Sequence, residues 1–309
     1  MLRGILAALA ILAFGAPAYA AFGSGSRTVT ASIAGRSGET KTFSIYTYRP
    51  SCSSYQGIAF IHHGVSRNAD SYRDAAIQLA KAECLLIVAP LYTEGSFPSD
   101  SYQRGGVAVD DGGPLAPESA WGTRFVAGMI AWARAQAGDP NAPYALYGHS
   151  AGGQFLARVA AYEATDNSLP AGLERIVVAN PSTWVRASGV DQDDGAPVDL
   201  NVSYDAIPYG FEGFPNRVQN LKEYLALPIT VYIGSNDTVR DSDLATGSYA
   251  DAQGQNRRKR AENAFAEAQA AAAALGVPFN WTKVYANGCG HSNGCMLKNS
   301  SADNAFGLE

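Results

Sequence analysis

Cysteine, histidine and methionine are scarce in this 309-residue sequence, at four, four and three residues, and charged residues make up only 17% of it. Positive charge is not in surplus: 23 Lys+Arg stand against 28 Asp+Glu, and setting Arg3 aside gives 22 − 28 = −6. Such a surface does not favour nucleic acid, whose binding rests on clustered cations meeting phosphates. The exception is Arg257-Arg258-Lys259-Arg260, four cations opening a predicted helix, for which a solvated face is expected. A Pro/Ser-rich linker and internal repeats are also missing, so the length fits one large α/β domain. After the first residues, no apolar run is long enough to span a bilayer.

What is present begins with a leader. Arg3 supplies a positive start, Ile5 to Phe14 an apolar stretch, and Ala18-Tyr19-Ala20 a small-residue cleavage site. The apolar stretch is too short for a membrane anchor, so residues 1–20 read as a signal peptide and residues 21–309 as the mature domain, secreted or periplasmic. Export makes the four cysteines two expected disulfides. Cys52 and Cys84 each precede an apolar strand, which would place them at one sheet edge, and Cys289 and Cys295 are close enough to shut a small loop. The competing reading, zinc held by Cys289, His291 and Cys295, lacks an evident fourth ligand.

The alternating residues of 26–49 predict an antiparallel hairpin. Apolar strands are predicted at Ile58–Ile61, Leu85–Ala89, Tyr144–Tyr147, Arg175–Ala179, Ile229–Ile233 and Trp281–Tyr285. Helices are predicted from Asp70, as cap, to Lys81, from Glu118 to Ala137, after Ser150, and from Glu262 to Ala274. The second of these would bury Trp121, Phe125, Met129 and Trp132. Strands alternating with helices imply a mostly parallel sheet covered on both faces. Two Gly-, Pro- and aromatic-rich stretches interrupt the pattern, a loop over 92–117 and an insertion over 182–226 with a short helix near Val218–Leu225.

Reactive groups in such sheets gather at the carboxyl ends of the strands. All four histidines are predicted there: His62 and His63 end one strand, His149 precedes Ser150, and His291 follows the last strand. Gly148-His149-Ser150-Ala151-Gly152 follows a strand and opens a helix, the order required of a turn that presents a nucleophilic serine. A serine hydroxyl needs a base to take its proton, and the base needs a carboxylate to hold its tautomer. Ser150, Asp237 and His291 occur in the order nucleophile, acid, base, each just after a predicted strand; Asp241 and Asp243 compete with Asp237 for the acid. The backbone N–H groups of Ala151 and of Val65, after His62-His63-Gly64, are the candidate oxyanion donors. Tyr92, Tyr102 and Trp184, with Tyr204, Tyr209 and Phe211, are candidate substrate contacts from the two irregular stretches.

Taken together, Gly148-His149-Ser150-Ala151-Gly152-Gly153, the His62-His63-Gly64 turn, Asp237 and Gly290-His291-Ser292 resemble the α/β-hydrolase fold over most of the mature chain. His63-Gly64 with Arg67, Asn68 and Ala69-Asp70-Ser71-Tyr72-Arg73 is also similar to exported bacterial hydrolases grouped with polyhydroxyalkanoate depolymerases and feruloyl-type esterases. The resemblance implies a serine hydrolase with Ser150, Asp237 and His291 as triad and no cofactor, acting on a small or polymeric ester. Val65 departs from the smaller or aromatic residue of many relatives. An amidase or peptidase using the same triad, and a non-catalytic binding protein on this fold, are the alternatives.

Overall fold

A computed structural model describes residues 22–165, 168–187 and 205–308; the leader, residues 188–204 and Tyr204 among them lie outside the described residues. Eight strands form one sheet in the order β1-β2-β4-β3-β5-β6-β7-β8. β1 (Gly25–Ala34) and β2 (Thr40–Arg49) make the expected antiparallel hairpin, and β2 pairs antiparallel with β4 (Leu85–Pro90). From β4 onward every pairing is parallel, through β3 (Gly57–His62), β5 (Tyr144–His149), β6 (Leu173–Ala179), β7 (Ile229–Gly234) and β8 (Thr282–Ala286). β3, β4 and β7 are buried along their whole length, which is why they read as unbroken apolar runs.

The helices differ from expectation at their ends. The predicted 70–81 helix is two pieces, α1 (Ala69–Ala75) and α2 (Ile77–Ala82), and its N-cap position is Asn68. Asp70 lies inside α1 and bonds the N–H of Ser71 instead. The 92–117 loop contains α3 (Ser99–Gln103). Two 3₁₀ turns over 118–124 precede α4 (Phe125–Ala137), so Trp121 is buried from a turn, and Trp132 is only half-buried. α5 (Ala151–Tyr162) follows Ser150 and is buried throughout, and α6 (Arg217–Ala226) is the expected short helix of the insertion. α7 (Ser248–Asp251) precedes α8 (Arg257–Leu275), which starts five residues before the predicted Glu262. Asn256 caps α8 by accepting the N–H of Lys259 at 2.9 Å. Two short helices not foreseen, α9 (Asn293–Lys298) and α10 (Ala302–Phe306), close the chain against the sheet.

The basic run is corrected here. Arg257 and Arg260 have no exposed surface; only Lys259 is exposed and Arg258 is half-buried. Arg260 donates to the carbonyls of Ser182, Ala245 and Gly254, and Arg257 meets carboxylates. Backbone oxygens and carboxylates distant in sequence thus replace water around charges that the local pattern assigned to solvent.

Both expected disulfides are formed, Cys52–Cys84 with Cα atoms 5.9 Å apart and Cys289–Cys295 at 5.7 Å. The second leaves no thiolate at Cys289 or Cys295 for zinc. Among the described residues no helix is long and apolar enough to cross a membrane.

Candidate active site

β5 ends in a sharp turn whose backbone dictates its sequence. Ser150 sits at φ 58°, ψ −116°, outside the usual regions for a residue with a side chain. Its N–H donates to Ala179 O at 3.0 Å, and its carbonyl accepts the N–H of Gln154, starting α5. A Cβ on Gly148 would collide with Gly152 O, and one on Gly152 with His62 O. Both glycines are therefore demanded by close approach of β3, β5 and α5.

Ser150 Oγ donates to His291 Nε2 at 2.9 Å, and His291 Nδ1–H donates to Asp237 Oδ2 at 2.7 Å. An ionised carboxylate only accepts, so Asp237 holds the proton on Nδ1 and leaves Nε2 free to take one from the serine. The Asp237 side chain is 1% exposed and that of His291 20%. The three groups come from the ends of β5, β7 and β8, as the chain order predicts. Asp241 and Asp243 are elsewhere: Asp241 takes Arg257 in a two-point pair, both contacts 2.7 Å, and Asp243 lines the cleft.

The cleft over Ser150 measures about 630 Å³ and is lined by Gly64, Val65, Tyr72, His149, Asp243 and Lys298 among others. Ala151 is the first residue of α5, and the first N–H groups of a helix have no partner within it. On the other side, Gly64 packs against the serine: a Cβ on it would lie 3.7 Å from Ser150 Cβ and 2.6 Å from the Tyr72 hydroxyl. Val65 follows it, 43% exposed at the cleft wall.

The loop carrying Val65 is held from beneath, and here the substrate-contact expectation is overturned. Tyr92, Tyr102 and Trp184 are each 0% exposed and none lines the cleft. Tyr92 N–H donates to His63 Nε2 at 3.1 Å, its carbonyl accepts from Arg67 at 2.6 Å, and the Tyr102 hydroxyl donates to His63 O at 2.7 Å. The two rings stack at 4.9 Å, and Arg67 lies over Tyr102 at 4.7 Å. Trp184 is clasped through its backbone by Gln253. Tyr209 and Phe211 are buried as well. Loop ends crossing the sheet surround these aromatics, which their sequence neighbours do not reveal; the Tyr102 hydroxyl finds a partner there, whereas the Tyr92 hydroxyl and Trp184 Nε1 are buried with no hydrogen-bond partner.

His63 uses both ring nitrogens, donating from Nδ1 to Gly64 O at 2.9 Å while Nε2 accepts from Tyr92. Burial lowers its pKa to about 4 and that of His62 to about 3, so both are neutral braces. His149 packs its ring on His291 with centroids 4.7 Å apart. The Tyr72 hydroxyl meets His149 Nδ1 at 3.0 Å. Burial, then His291 and Arg257, push the His149 pKa well down. Tyr72 and Asn180 were missed as site residues. The Asn180 side chain accepts the N–H of Gly234 at 2.8 Å and donates to Gly290 O at 3.3 Å, tying the strand end before Asp237 to the loop before His291. The only signal in the sequence was its place at a strand end, in Asn180-Pro181.

A mostly parallel sheet in this order with a strained serine between β5 and α5 defines an α/β-hydrolase. No protein-family model matches the sequence, and comparison with curated proteins gives no match. Among solved structures the chain is similar to poly(aspartic acid) hydrolase-1 from Sphingomonas sp. KT-1, with 31% identity and a TM-score of 0.73, over 88% of this chain and 96% of that one. It is similar to LpqC, a poly(3-hydroxybutyrate) depolymerase from Bordetella parapertussis, at 28% identity and TM-score 0.73, over 91% and 90%. Carboxyl esterase 2 from the mycorrhizal fungus Tuber melanosporum, at 16% identity and TM-score 0.51 over 92% and 85%, shares the fold. The chain belongs to the depolymerase- and esterase-like hydrolases of the α/β-hydrolase fold, as the sequence resemblance indicated.

Proposed function

We propose that this hydrolase is an exported serine enzyme, a single domain from about residue 21 once a leader of residues 1–20 is removed, and that it cleaves carboxylic esters through an acyl-enzyme on Ser150. The observation that carries the reading is the unbroken hydrogen-bonded line from Ser150 Oγ through His291 to Asp237, at 2.9 and 2.7 Å. His291 Nε2 takes the serine proton as Oγ attacks the carbonyl carbon. The N–H groups of Ala151 and Val65 receive the oxyanion, and Asp237 stabilises the imidazolium. His291 then protonates the departing alkoxide, and water, deprotonated by the same nitrogen, releases the acid. An ester is favoured over an amide because an alkoxide leaves more readily. The two disulfides suit an oxidising compartment. The similar chains named for hydrolysis of poly(aspartic acid) and poly(3-hydroxybutyrate) support a polymeric substrate.

Hydrolysis of p-nitrophenyl esters from acetate to decanoate tests the reading, with Ser150→Ala as control. The expected loss in kcat/KM is about a thousandfold or more. Wild type no faster than the variant on every ester would overturn it. A second reading, cleavage of a polymeric amide by the same residues, is favoured by the 31% identity to a poly(aspartic acid) hydrolase and by a cation, Lys298, in the cleft wall. Release of soluble acid from poly(3-hydroxybutyrate) film, against release of fragments from poly(aspartic acid), decides between the two.

A further inference from the structure

We propose that Arg257 is a positioning residue for the Asp237–His291 pair, and that Arg257 and Asp241 together set the charge the pair experiences. The inference rests on the triad reading above. Asp237 uses Oδ2 for His291, and its other oxygen, Oδ1, lies 3.6 Å from Arg257 Nη1. Both side chains are shut away from water, Arg257 at 0% and Asp237 at 1% exposure. The same guanidinium forks onto Asp241, Nη1 to Oδ2 and Nη2 to Oδ1, both at 2.7 Å, a planar fit that a lysine could not reproduce. Helix α8 brings it there. Asn256 caps the helix, Arg258 N–H donates to Asp237 O at 3.1 Å, and Arg258 Nη1 donates to Ser235 O at 2.9 Å. The first turn of α8 therefore grips the acid's own loop, with a buried cation between two carboxylates.

A carboxylate with so little water needs compensation to stay charged, and His291 supplies it at one oxygen only. Arg257 supplies it at the other. Its full charge would also oppose the imidazolium that forms on His291 during catalysis. Asp241, 35% exposed, offsets that charge. Around His291 stand Asp237 and Asp241 from the loop after β7 and His149 from the end of β5, with Arg257 of α8 on the far oxygen of Asp237. Tyr72 stands behind His149, and Asp74, Asp243 and Lys298 share the cleft. Removing either member of the Arg257–Asp241 pair changes the net charge beside the base by one, with opposite signs.

The test is the second-order rate at which a fluorophosphonate labels Ser150 across pH 4–9, which requires the base but no knowledge of the natural substrate. Arg257→Gln leaves Asp241 uncompensated, and the acid limb is expected to move to higher pH by about half a unit or more. Asp241→Asn leaves the cation uncompensated and is expected to move it to lower pH. The double variant should return the limb close to wild type, and Arg257→Lys, which keeps the charge, should leave it in place while slowing labelling. Thermal unfolding establishes that each variant is folded; should Arg257→Gln fail to fold, Asp241→Asn, at a half-exposed carboxylate, carries the sign test. Folded variants whose labelling slows by one factor at every pH, with the limb unmoved, would overturn the proposal while leaving the triad intact. Wild type that labels no faster than Ser150→Ala would sink both.

Discussion

Asn180 illustrates how much of this site depends on side chains that never touch substrate. Its amide joins Gly234 N–H to Gly290 O, so one residue at the end of β6 holds the strand ends leading to Asp237 and His291. Asn180→Ala would leave the Gly234 N–H unpaired in a buried place, a loss of about 1–3 kcal/mol, and would loosen the register between acid and base. A misplacement of about 1 Å is enough for a loss on the order of a hundredfold in rate. The expected outcome is a kcat/KM for p-nitrophenyl acetate lowered tenfold or more (roughly, on that scale) with KM little changed. A variant that unfolds earlier but keeps full kcat/KM would reduce Asn180 to a purely structural role. Ser150, Asp237 and His291 were legible because each follows a strand in a fixed order. Asn180 was not, because a polar residue at a strand end is ordinary until its partners, far away in sequence, are known.

α5 does two things at once. Its start carries the strained turn of Ser150, and its middle carries Arg158, which is 0% exposed and reaches outward to the described part of the 182–226 insertion. The guanidinium donates to Pro208 O at 3.0 Å, Thr183 O at 2.9 Å and Thr183 Oγ1 at 3.1 Å. These bonds explain why a stretch with the composition of a loop packs Trp184, Tyr209 and Phe211 against the core instead of presenting them to substrate. Arg158→Met would fill some of the volume but leave the carbonyls of Pro208 and Thr183 without their donor, a destabilisation of about 3 kcal/mol or more. Urea unfolding measures it; an unchanged midpoint would show that the insertion needs no such anchor. Helix α8 carries the same lesson, since four consecutive cations divide into two that are buried and two that meet water only because of where the helix docks.

Across the entire molecule, the histidines impose a pH dependence on stability. Burial lowers His62 to about 3 and His63 to about 4, and pushes His149 down as well. In the unfolded chain they would titrate near 6.5. The unfolded state therefore binds more protons below that pH. Stability is complete above about 6.5 and is lost as pH falls toward the folded values, by up to about 2–3 kcal/mol for each of His62 and His63 by pH 4.5, with His149 contributing in the same direction. The melting temperature is expected to fall steadily from pH 7 to 4.5, with a shallower slope in His62→Gln. A melting temperature that is flat over that range would contradict the neutral assignment.

Some of this protein could be read from local order alone. Alternating strands and helices, a serine between glycines at a strand end, one histidine downstream of it, and cysteines spaced for two bridges are all statements about neighbours in the chain, and they led to the sheet, the Ser150–His291–Asp237 constellation and both disulfides. Other features needed the folded chain: that Tyr92 and Tyr102 hold the loop of Val65 rather than line a cleft, that Asp241 pairs with Arg257 while Asp237 faces His291, and that Arg257 and Arg260 are buried. The physical reason is that the fate of a polar or amphipathic group is decided by the partners that replace its water. Here those partners lie on distant segments of the chain, 25 residues from Arg67 to Tyr92 and 54 from Asp237 to His291.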